Sequence, residues 1–444
     1  MSSEYTLVTL PPKNPLLGHM IPVSQDMPAF FQTLIPYGDM VRFRVANAMF
    51  VALNNADLVG EFMVKKAKSF HKARSLKLAA GNTETIFNSD GDYWRKQHQL
   101  MMPAFHSKRI SAYADQMTAH AEQTAQGWQD GQTLDMLEAM QETTLRVILE
   151  TMFGMSMDER AERLKVTLAD LLELMGKRAK RNGLPPTWLP LPENFRLART
   201  LNDIVAPLGS IMQEWRQHGE DRGDLLSTLM LARYDNGEPM TDAQIMNELT
   251  TIYVAGHDTS ANSLAYAWVA LSQNPAIEAA LHAELDAVLG DHAPTLADLP
   301  KLHYTEMLLK ETLRMYNAAN AVVRDAIEDV EIGGHIIHKG EAVAASMWAL
   351  HYHPNYFANP HTFDPQRFSE ANAGSIHKYA YFPFGGGPRV CIGNQFAMME
   401  MKLILATLAR CYRFQLVTPG DVPYESSFTV GPKGPLPMTI HKRN

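Results

Sequence analysis

A glycine-rich segment with a single cysteine is the feature that most restricts how this chain can fold. Residues 384–393 read Phe-Gly-Gly-Gly-Pro-Arg-Val-Cys-Ile-Gly, and the three glycines and the proline predict tight backbone turns. A helix is predicted to follow over about residues 394–408, so Cys391 lies at the entrance to a helix N-terminus. Free N–H groups and the helix dipole there favour an anion and shift a thiol toward its thiolate. Cys391 is therefore a candidate metal ligand, the alternative being an inert buried cysteine.

The number of cysteines restricts which metal site is possible. Cys391 and Cys411 are the only two among 444 residues, which excludes a disulfide scaffold and indicates a reducing compartment. One cysteine without a neighbouring cysteine or histidine does not build a zinc or iron–sulfur site. It can be the single protein ligand of a heme.

Composition and charge narrow the class of protein. Hydrophobic residues make up 46%, as in an ordinary globular protein, and no linker or repeat divides the chain, so we expect a single domain over residues 1–444. The net charge of −8 argues against nucleic acid as a partner. No signal-peptide pattern and no run of about 18 apolar residues occurs, so we expect a cytoplasmic monomer without a membrane anchor.

The secondary-structure pattern predicts a mainly α protein with minor β structure near both ends. Two apolar, β-branched stretches in residues 37–54 predict a hairpin, and Gly333-Gly334 is predicted to be the turn of a second one. Thr241 followed by Gln244 is a capping-box pattern, which predicts the start of a long helix. Further predicted features are a helix end at Gly154, a helix start at Pro275, a helix over about residues 304–316 and a proline-rich loop over residues 184–192.

The cysteine segment resembles a known family signature. The pattern Phe-x-x-Gly-x-Arg-x-Cys-x-Gly closely resembles the heme-binding signature of the cytochrome P450 superfamily, with Phe384, Gly387, Arg389, Cys391 and Gly393 at its five fixed positions. The resemblance covers nearly the whole chain and implies one helix-rich fold with small sheets. It also implies a heme b whose iron is bound by the Cys391 thiolate and whose surroundings include Phe384, Arg389 and Gly393.

A run of weak helix formers, Ala255-Gly256-His257-Asp258-Thr259, lies in the long predicted helix. Glycine inside a helix costs about 1 kcal/mol relative to alanine, and Asp and Thr side chains compete for backbone groups. The run predicts a local distortion that admits a ligand or water, the alternative being an ordinary stretch on a solvated face. It resembles the family's oxygen-activation motif, which implies that Asp258 and Thr259 relay protons and that Ala255 and Gly256 leave room over the heme.

Trp94 and His98 lie four residues apart and share a predicted helix face. By themselves they indicate core packing for the tryptophan and a solvated histidine. The resemblance implies instead that both bind one heme propionate, with a histidine where most members have arginine. It implies that Arg324 binds the other propionate.

Glu311 and Arg314 are three residues apart on the predicted helix 304–316 and can form an ion pair. Alone they indicate a surface pair that adds little stability. The resemblance implies that they join Arg367 in a buried structural network behind the heme.

Together these motifs predict a monooxygenase that activates dioxygen and hydroxylates a lipophilic small molecule of terpenoid, steroid or fatty-acyl type. The segments expected to line its pocket are residues 76–87, the loop around Trp188, Ala255, residues 318–323 and Phe428-Thr429. No Gly-x-Gly-x-x-Gly motif opens a helix, so electrons are expected from a separate ferredoxin or flavodoxin. The residues expected to form its docking patch are Arg95, Lys96, Lys108, Lys378 and Lys402.

Two other functions stay open from the sequence. One is a peroxide-driven heme peroxygenase, which the acid–alcohol pair disfavours. The other is a heme protein that transfers electrons or senses gas without turnover. Electron transfer alone needs a second axial ligand, and Ala255-Gly256 offers none.

Overall fold

The computed structural model describes residues 5–79, 84–156, 159–180 and 187–443. Helices dominate these residues, which confirms the predicted class of a mainly α fold with minor β structure. The α-helices are α1 (Met20–Gln25), α2 (Met27–Gln32), α3 (Ala56–Gly60), α4 (Arg74–Ala79), α5 (Gly91–Met101), α6 (Ser107–Ser111), α7 (Ala114–Ala125), α8 (Met136–Phe153), α9 (Glu159–Lys180), α10 (Pro192–His218), α11 (Leu225–Leu231), α12 (Asp242–Gln273), α13 (Pro275–Leu289), α14 (His303–Met315), α15 (Met347–Leu350), α16 (Glu370–Ala373) and α17 (Asn394–Cys411).

The strands form small sheets, which come mainly from the two ends of the chain. They are β1 (Leu7–Thr9), β2 (Met40–Val45), β3 (Ala48–Leu53), β4 (Phe70–Lys72), β5 (Thr133–Asp135), β6 (Ala321–Ala326), β7 (Val330–Ile332), β8 (His335–Ile337), β9 (Ala342–Ser346), β10 (Tyr412–Leu416), β11 (Tyr424–Ser426), β12 (Val430–Pro432) and β13 (Pro437–Lys442). One sheet has six strands in the order β1-β2-β3-β9-β6-β4, and another has the order β10-β13-β5. β11 pairs with β12, and β7 pairs with β8.

Helix α12 forms the centre of the molecule. Its 32 residues correspond to about 48 Å at 1.5 Å per residue. Thr241 and Gln244 make both hydrogen bonds of the capping box, as predicted. Every residue of 260–272 is buried, and a helix that is buried all round must be enclosed by other elements. α8, α10, α14 and α17 contact it, so side chains of α12 can reach an internal site.

The other predicted elements are confirmed. Gly154 ends α8 with φ of 60°, and Pro275 occupies the first turn of α13. The two predicted hairpins are β2–β3 and β7–β8, each antiparallel. Residues 187–191 precede α10 without regular structure, as predicted, whereas residues 184–186 of that loop and 80–83 of the predicted pocket segment lie outside the described residues.

The length and apolar character of the helices decide whether any of them could cross a membrane. In the described parts of the chain, no helix is both long and apolar enough to cross a membrane. The expectation of a single domain over residues 1–444 stays a prediction.

Candidate active site

The cysteine loop is shaped by its glycines and by one backbone hydrogen bond. The N–H of Cys391 donates to the carbonyl oxygen of Phe384 over 3.0 Å. Gly387 has a φ of +65°, and a Cβ there would lie 2.0 Å from the carbonyl oxygen of Met63. A side chain at this position would therefore be strained and would also collide with backbone. α17 begins at Asn394, which confirms that Cys391 lies just before a helix N-terminus.

The Cys391 residue has exposed surface, but protein atoms enclose its thiol. Its residue surface is exposed, whereas Phe384 and Gly393 beside it are only partly exposed. Protein atoms nevertheless surround the thiol, and this burial raises its pKa. The hydrogen bond with the Gly393 backbone and the charge of Lys72 lower the pKa by less. In the polypeptide, desolvation therefore outweighs the two effects that favour the thiolate. Coordination to a metal cation would reverse this balance.

A narrow strip of α12 is accessible although the helix is otherwise buried. Ala255 is exposed and Thr259 is partly exposed, whereas Val254, Asp258 and Ser260 are buried. Residues 255 and 259 lie one turn apart and share a face, so the accessible atoms form a narrow strip along one side of α12. α12 runs through this region without interruption, so the predicted distortion is not seen. The Thr259 hydroxyl donates to the Ala255 carbonyl oxygen over 2.9 Å, which keeps its polar group satisfied inside the helix.

Asp258 is a buried carboxylate that is held by neutral donors. It is 5% exposed. Its Oδ2 atom accepts from Asn262 Nδ2 over 2.9 Å and from Thr429 Oγ1 over 2.5 Å.

Gly256 is partly exposed and also packs closely against α8. A Cβ at this position would lie 2.7 Å from Cδ1 of Ile148 on α8. The expectation that Gly256 leaves room over a heme stays a prediction. A rotation of about 100° per residue turns it away from Ala255, and its lack of a side chain lets α8 approach α12.

Four cationic side chains gather near the carboxylate of Asp90. Lys72 and Arg324 are cross-strand partners in β4 and β6, and Arg389 lies in the cysteine loop. Arg389 Nη2 donates to Asp90 Oδ1 over 3.0 Å, and Lys77 pairs with the same carboxylate. Like charges in opposing strand positions are destabilising. This cluster therefore carries more positive charge than Asp90 balances.

The pKa values of the basic side chains in the cluster also indicate an excess of positive charge. Burial, followed by repulsion from Arg324 and Arg389, lowers the pKa of Lys72 to about 7. Burial lowers the pKa of Arg324 and that of Arg389 to about 10. Among the described residues, Arg389 Nη1 is buried without a hydrogen-bond partner. A buried donor that lacks an acceptor indicates that an anionic group belongs beside it.

Trp94 and His98 lie beside this cluster, and their expected binding of a heme propionate stays a prediction. The Arg389 guanidinium lies 3.9 Å from the centre of a Trp94 ring, and the Trp94 and His98 rings are 5.0 Å apart. Burial, and then Arg389, lowers the pKa of His98, which favours its neutral form.

Glu311 and Arg314 are buried, Arg367 is partly exposed, and the three side chains are connected, which matches the predicted network. Arg314 Nε and Nη2 donate to Glu311 over 2.7 and 2.8 Å, and Arg367 Nε donates to Glu311 over 3.3 Å. The side chains of Glu311 and Arg314 are 0% exposed, so the alternative of a surface ion pair is wrong.

Two residues of the site were not found from the sequence. Lys72 is one basic residue among many in sequence, and only its pairing with Arg324 places it in the cluster. His351 connects the buried trio to the cysteine loop, since its ring bonds to the Arg314 carbonyl oxygen and accepts the Phe382 N–H over 3.1 Å. Burial lowers its pKa to about 3, so it stays neutral.

The predicted redox docking patch is only partly exposed. Arg95, Lys96, Lys108 and Lys378 are exposed. Lys402 is buried and donates to Glu306 over 3.0 Å and to the Leu299 carbonyl oxygen over 2.8 Å. Including Lys402 was wrong, because its ammonium joins α17 to α14 instead of facing a partner.

The donor set fits heme b. An enclosed, accessible thiol suits iron ligation. Arg324, Arg389 and Lys72 supply more donors and positive charge than Asp90 uses, as two propionates would require. The orphaned Nη1 of Arg389 is the clearest sign of this fit.

The comparisons with known proteins agree with this geometry. The family model described as cytochrome P450 matches residues 8–437. A cyclooctat-9-en-7-ol 5-monooxygenase of Streptomyces melanosporofaciens is 32% identical, covering 99% of this chain and 96% of that protein. A pentalenene oxygenase of Streptomyces avermitilis is 28% identical, covering 95% of this chain and 94% of that protein. The crystal structure of the cytochrome P450DA heme domain matches with a TM-score of 0.87 and 27% identity, covering 99% and 98% of the two chains. This chain is a member of the cytochrome P450 family of oxidoreductases, a family that implies heme bound through a cysteine thiolate.

Proposed function

We propose that the protein is a heme b-dependent monooxygenase that hydroxylates a lipophilic terpenoid, with electrons from a separate redox protein. The balanced reaction is RH + O₂ + 2e⁻ + 2H⁺ → ROH + H₂O. The observation that carries the proposal is the accessible strip of Ala255 and Thr259 on a buried helix, with the Asp258 carboxylate next to it in sequence. A cleft lined by apolar atoms, one hydroxyl and a nearby acid suits a reaction that consumes protons.

The cofactor is proposed to bind between the cysteine loop and α12. Cys391 ligates the iron, and Phe384 and Gly393 border the same side. Arg324, Arg389 and Lys72 donate to the propionates, and neutral His98 donates with Trp94. When bound, the heme supplies the iron at which dioxygen is activated, and the electron-rich thiolate favours O–O cleavage.

Proton supply is proposed to depend on Asp258 and Thr259. The Thr259 hydroxyl donates to the Ala255 carbonyl in this structure, and a change of rotamer would let it donate into the cleft. Asp258 takes up a proton at Oδ1, which the described donors leave free, while Oδ2 stays bound to Asn262 and Thr429. A buried carboxylate with one free oxygen can pass protons inward while the neighbouring apolar residues keep bulk water out.

The proposed substrate class is supported by the apolar residues expected to line the pocket and by the names of two relatives. Phe87 and Phe428 lie with ring centroids 5.9 Å apart, and buried Ile252 of α12 belongs to the hydrophobic cluster against which Phe428 packs. Two relatives are named for their action on cyclooctat-9-en-7-ol and pentalenene, which are terpenoids. We therefore favour a terpenoid over a steroid or a fatty acid. Electrons are proposed to arrive at exposed Lys96, Lys108 and Lys378 from an acidic ferredoxin or flavodoxin. The monomeric state and cytoplasmic location stay predictions.

The first test concerns whether Cys391 binds the heme iron. The reduced, carbon monoxide-bound protein should show the red-shifted absorbance of thiolate-ligated heme. Cys391→Ser should lose that absorbance, and Cys411→Ala is the matched control that should keep it. A folded, heme-loaded wild-type protein without the red shift would overturn the ligation.

The reaction class needs a second measurement. Type I spectral titration against terpenoids, steroids and fatty acids should select a terpenoid, which NADH, ferredoxin reductase and ferredoxin should then convert to an alcohol. Turnover with hydrogen peroxide alone, and none with NADH and ferredoxin, would instead support the peroxygenase. Spectral binding of fatty acids alone would contradict the terpenoid class.

A further inference from the structure

The turn at residues 427–429 ends in the side chain that holds Asp258. The Ser427 N–H donates to the Thr429 carbonyl oxygen over 2.9 Å and closes the turn. The Thr429 hydroxyl donates to Asp258 Oδ2 over 2.5 Å. The other donor to this oxygen, Asn262, belongs to α12 itself. Within the described chain, Thr429 is thus the donor through which another element acts on Asp258.

The same turn is packed between two elements that border the pocket. A Cβ on Gly176 of α9 would lie 2.9 Å from the backbone nitrogen of Phe428, so helix and turn are in direct contact. The Phe428 ring lies against Phe87. The segment of Phe87 is held by Glu248 of α12, whose two carboxylate oxygens accept the Ile86 N–H over 3.0 Å each. A molecule that spreads these elements therefore pushes on the turn.

On its other side, the turn at residues 427–429 continues into β12, which packs tightly against α12. A Cβ on Gly431 would lie 2.5 Å from Asn262 Oδ1, so β12 packs directly on the α12 side chain beside Asp258. The Val430 N–H donates to the Ala318 carbonyl oxygen over 2.9 Å. With residues 430 and 431 anchored, a displacement of Phe428 is taken up at Thr429.

We propose that Thr429 is a positioning residue for Asp258, and that the turn makes their hydrogen bond depend on what fills the space beside Phe87 and Phe428. The inference rests on the proposed role of Asp258 in proton supply. A well-fitting substrate leaves the turn in place and the carboxylate oriented. A substrate that displaces Phe428 breaks the bond, and electrons then leave by O₂ + 2e⁻ + 2H⁺ → H₂O₂ without substrate oxidation.

The first experiment needs no turnover. Infrared difference spectra of the ferric holoprotein identify the Asp258 carboxyl or carboxylate band as the one missing in Asp258→Asn. Thr429→Val should shift this band, and Thr429→Ser, which keeps the hydroxyl, should leave it in place. The sesquiterpene alcohol nerolidol, added as a probe with a second series of larger terpenoid alcohols, should move the band in wild type and not in Thr429→Val. A band that is unchanged in Thr429→Val overturns the proposal.

The second experiment is a double-mutant cycle with NADH, ferredoxin reductase and ferredoxin, scored as product and hydrogen peroxide formed per NADH. Thr429→Val should lower product formation about tenfold, as expected for loss of a hydrogen bond to a charged group, and should raise peroxide. It should also raise the solvent isotope effect, whereas the same substitution in Asp258→Asn should add nothing. An equal effect in both backgrounds shows that Thr429 acts on the pocket directly and contradicts the proposal.

A control variant tests whether the effect is specific to Thr429, and the infrared result can be judged separately from the proposed function. Ser426→Ala removes a neighbouring hydroxyl that donates to Asn320 over 3.2 Å, and it should change neither the infrared band nor the peroxide yield. If wild type forms no product with NADH and ferredoxin, the proposed function fails, and the infrared result still decides whether Thr429 positions Asp258.

Discussion

Replacing Glu311 by glutamine should destabilise the protein strongly, because Glu311 is the carboxylate that the described contacts give to buried Arg314 and to partly exposed Arg367. Its side chain is 0% exposed and accepts from Arg314, from Arg367 and from the Asp364 N–H over 2.9 Å. Removing one partner of a buried ion pair costs about 3–5 kcal/mol. Arg314 also donates to the carbonyl oxygens of His351 and Pro360 over 2.8 Å, which keeps part of its hydrogen bonding. We therefore expect about 3 kcal/mol, or roughly a hundredfold lower ratio of native to unfolded protein.

Glu306→Gln on the same helix is the matched control. The Glu306 side chain is 39% exposed and pairs with Lys310 and Lys402 over 2.8 and 3.0 Å, so solvent screens it and the loss should be about 1 kcal/mol or less. Urea unfolding of both variants, followed by circular dichroism at the same protein and heme concentrations, gives the comparison. Equal losses for the two variants would refute the reasoning that burial decides the cost.

Three further predictions concern packing, charge and pH. Gly256→Ala should lose at most about 1 kcal/mol in urea unfolding, because the new Cβ meets only the end of the flexible Ile148 side chain and alanine favours the helix by about 1 kcal/mol. Ile148→Val, which removes the contacting Cδ1 atom, should cost less in the Gly256→Ala chain than in wild type, and an equal cost in both would contradict the close packing. Lys72→Met should weaken hemin binding to the apoprotein about tenfold in an absorbance titration, whereas exposed Lys68→Met should not, and equal affinities would remove Lys72 from the cofactor site. Burial raises the pKa of Glu400 from 4.5 to about 8, so the native state keeps a proton that the unfolded chain releases, and the stability contribution of Glu400 should fall as pH rises from about 5 to about 8. Glu400→Gln should flatten this slope in urea midpoints measured across that range, and an unchanged slope would argue against it.

Elements with local signals were predictable from the sequence. The capping box of Thr241, the left-handed end at Gly154 and the Gly333-Gly334 turn each depend on a few neighbouring residues, and each appears as expected. The cysteine loop belongs to the same class, because glycine is needed where φ is positive. The trio around Glu311 was implied by resemblance, and its burial agrees.

The sequence did not predict features that depend on which distant residues pack against a side chain. Lys402 looks like any surface lysine in sequence, but packing of α17 on α14 buries it beside Glu306. The close approach of Gly256 to Ile148 of α8 was likewise not visible in the sequence. The Cys391 thiol was expected to ionise readily from its position before a helix, whereas burial opposes this in the polypeptide.

The sequence by itself determined the family, the ligand candidate and the fold class, because glycine loops, capping residues and helix periodicity act over a few residues. The tertiary structure decided which cations meet at Lys72, Arg324 and Arg389, and that Thr429 bonds to Asp258 across 171 positions. Such contacts depend on burial, strand register and the approach of distant segments, and no local pattern in the chain encodes them.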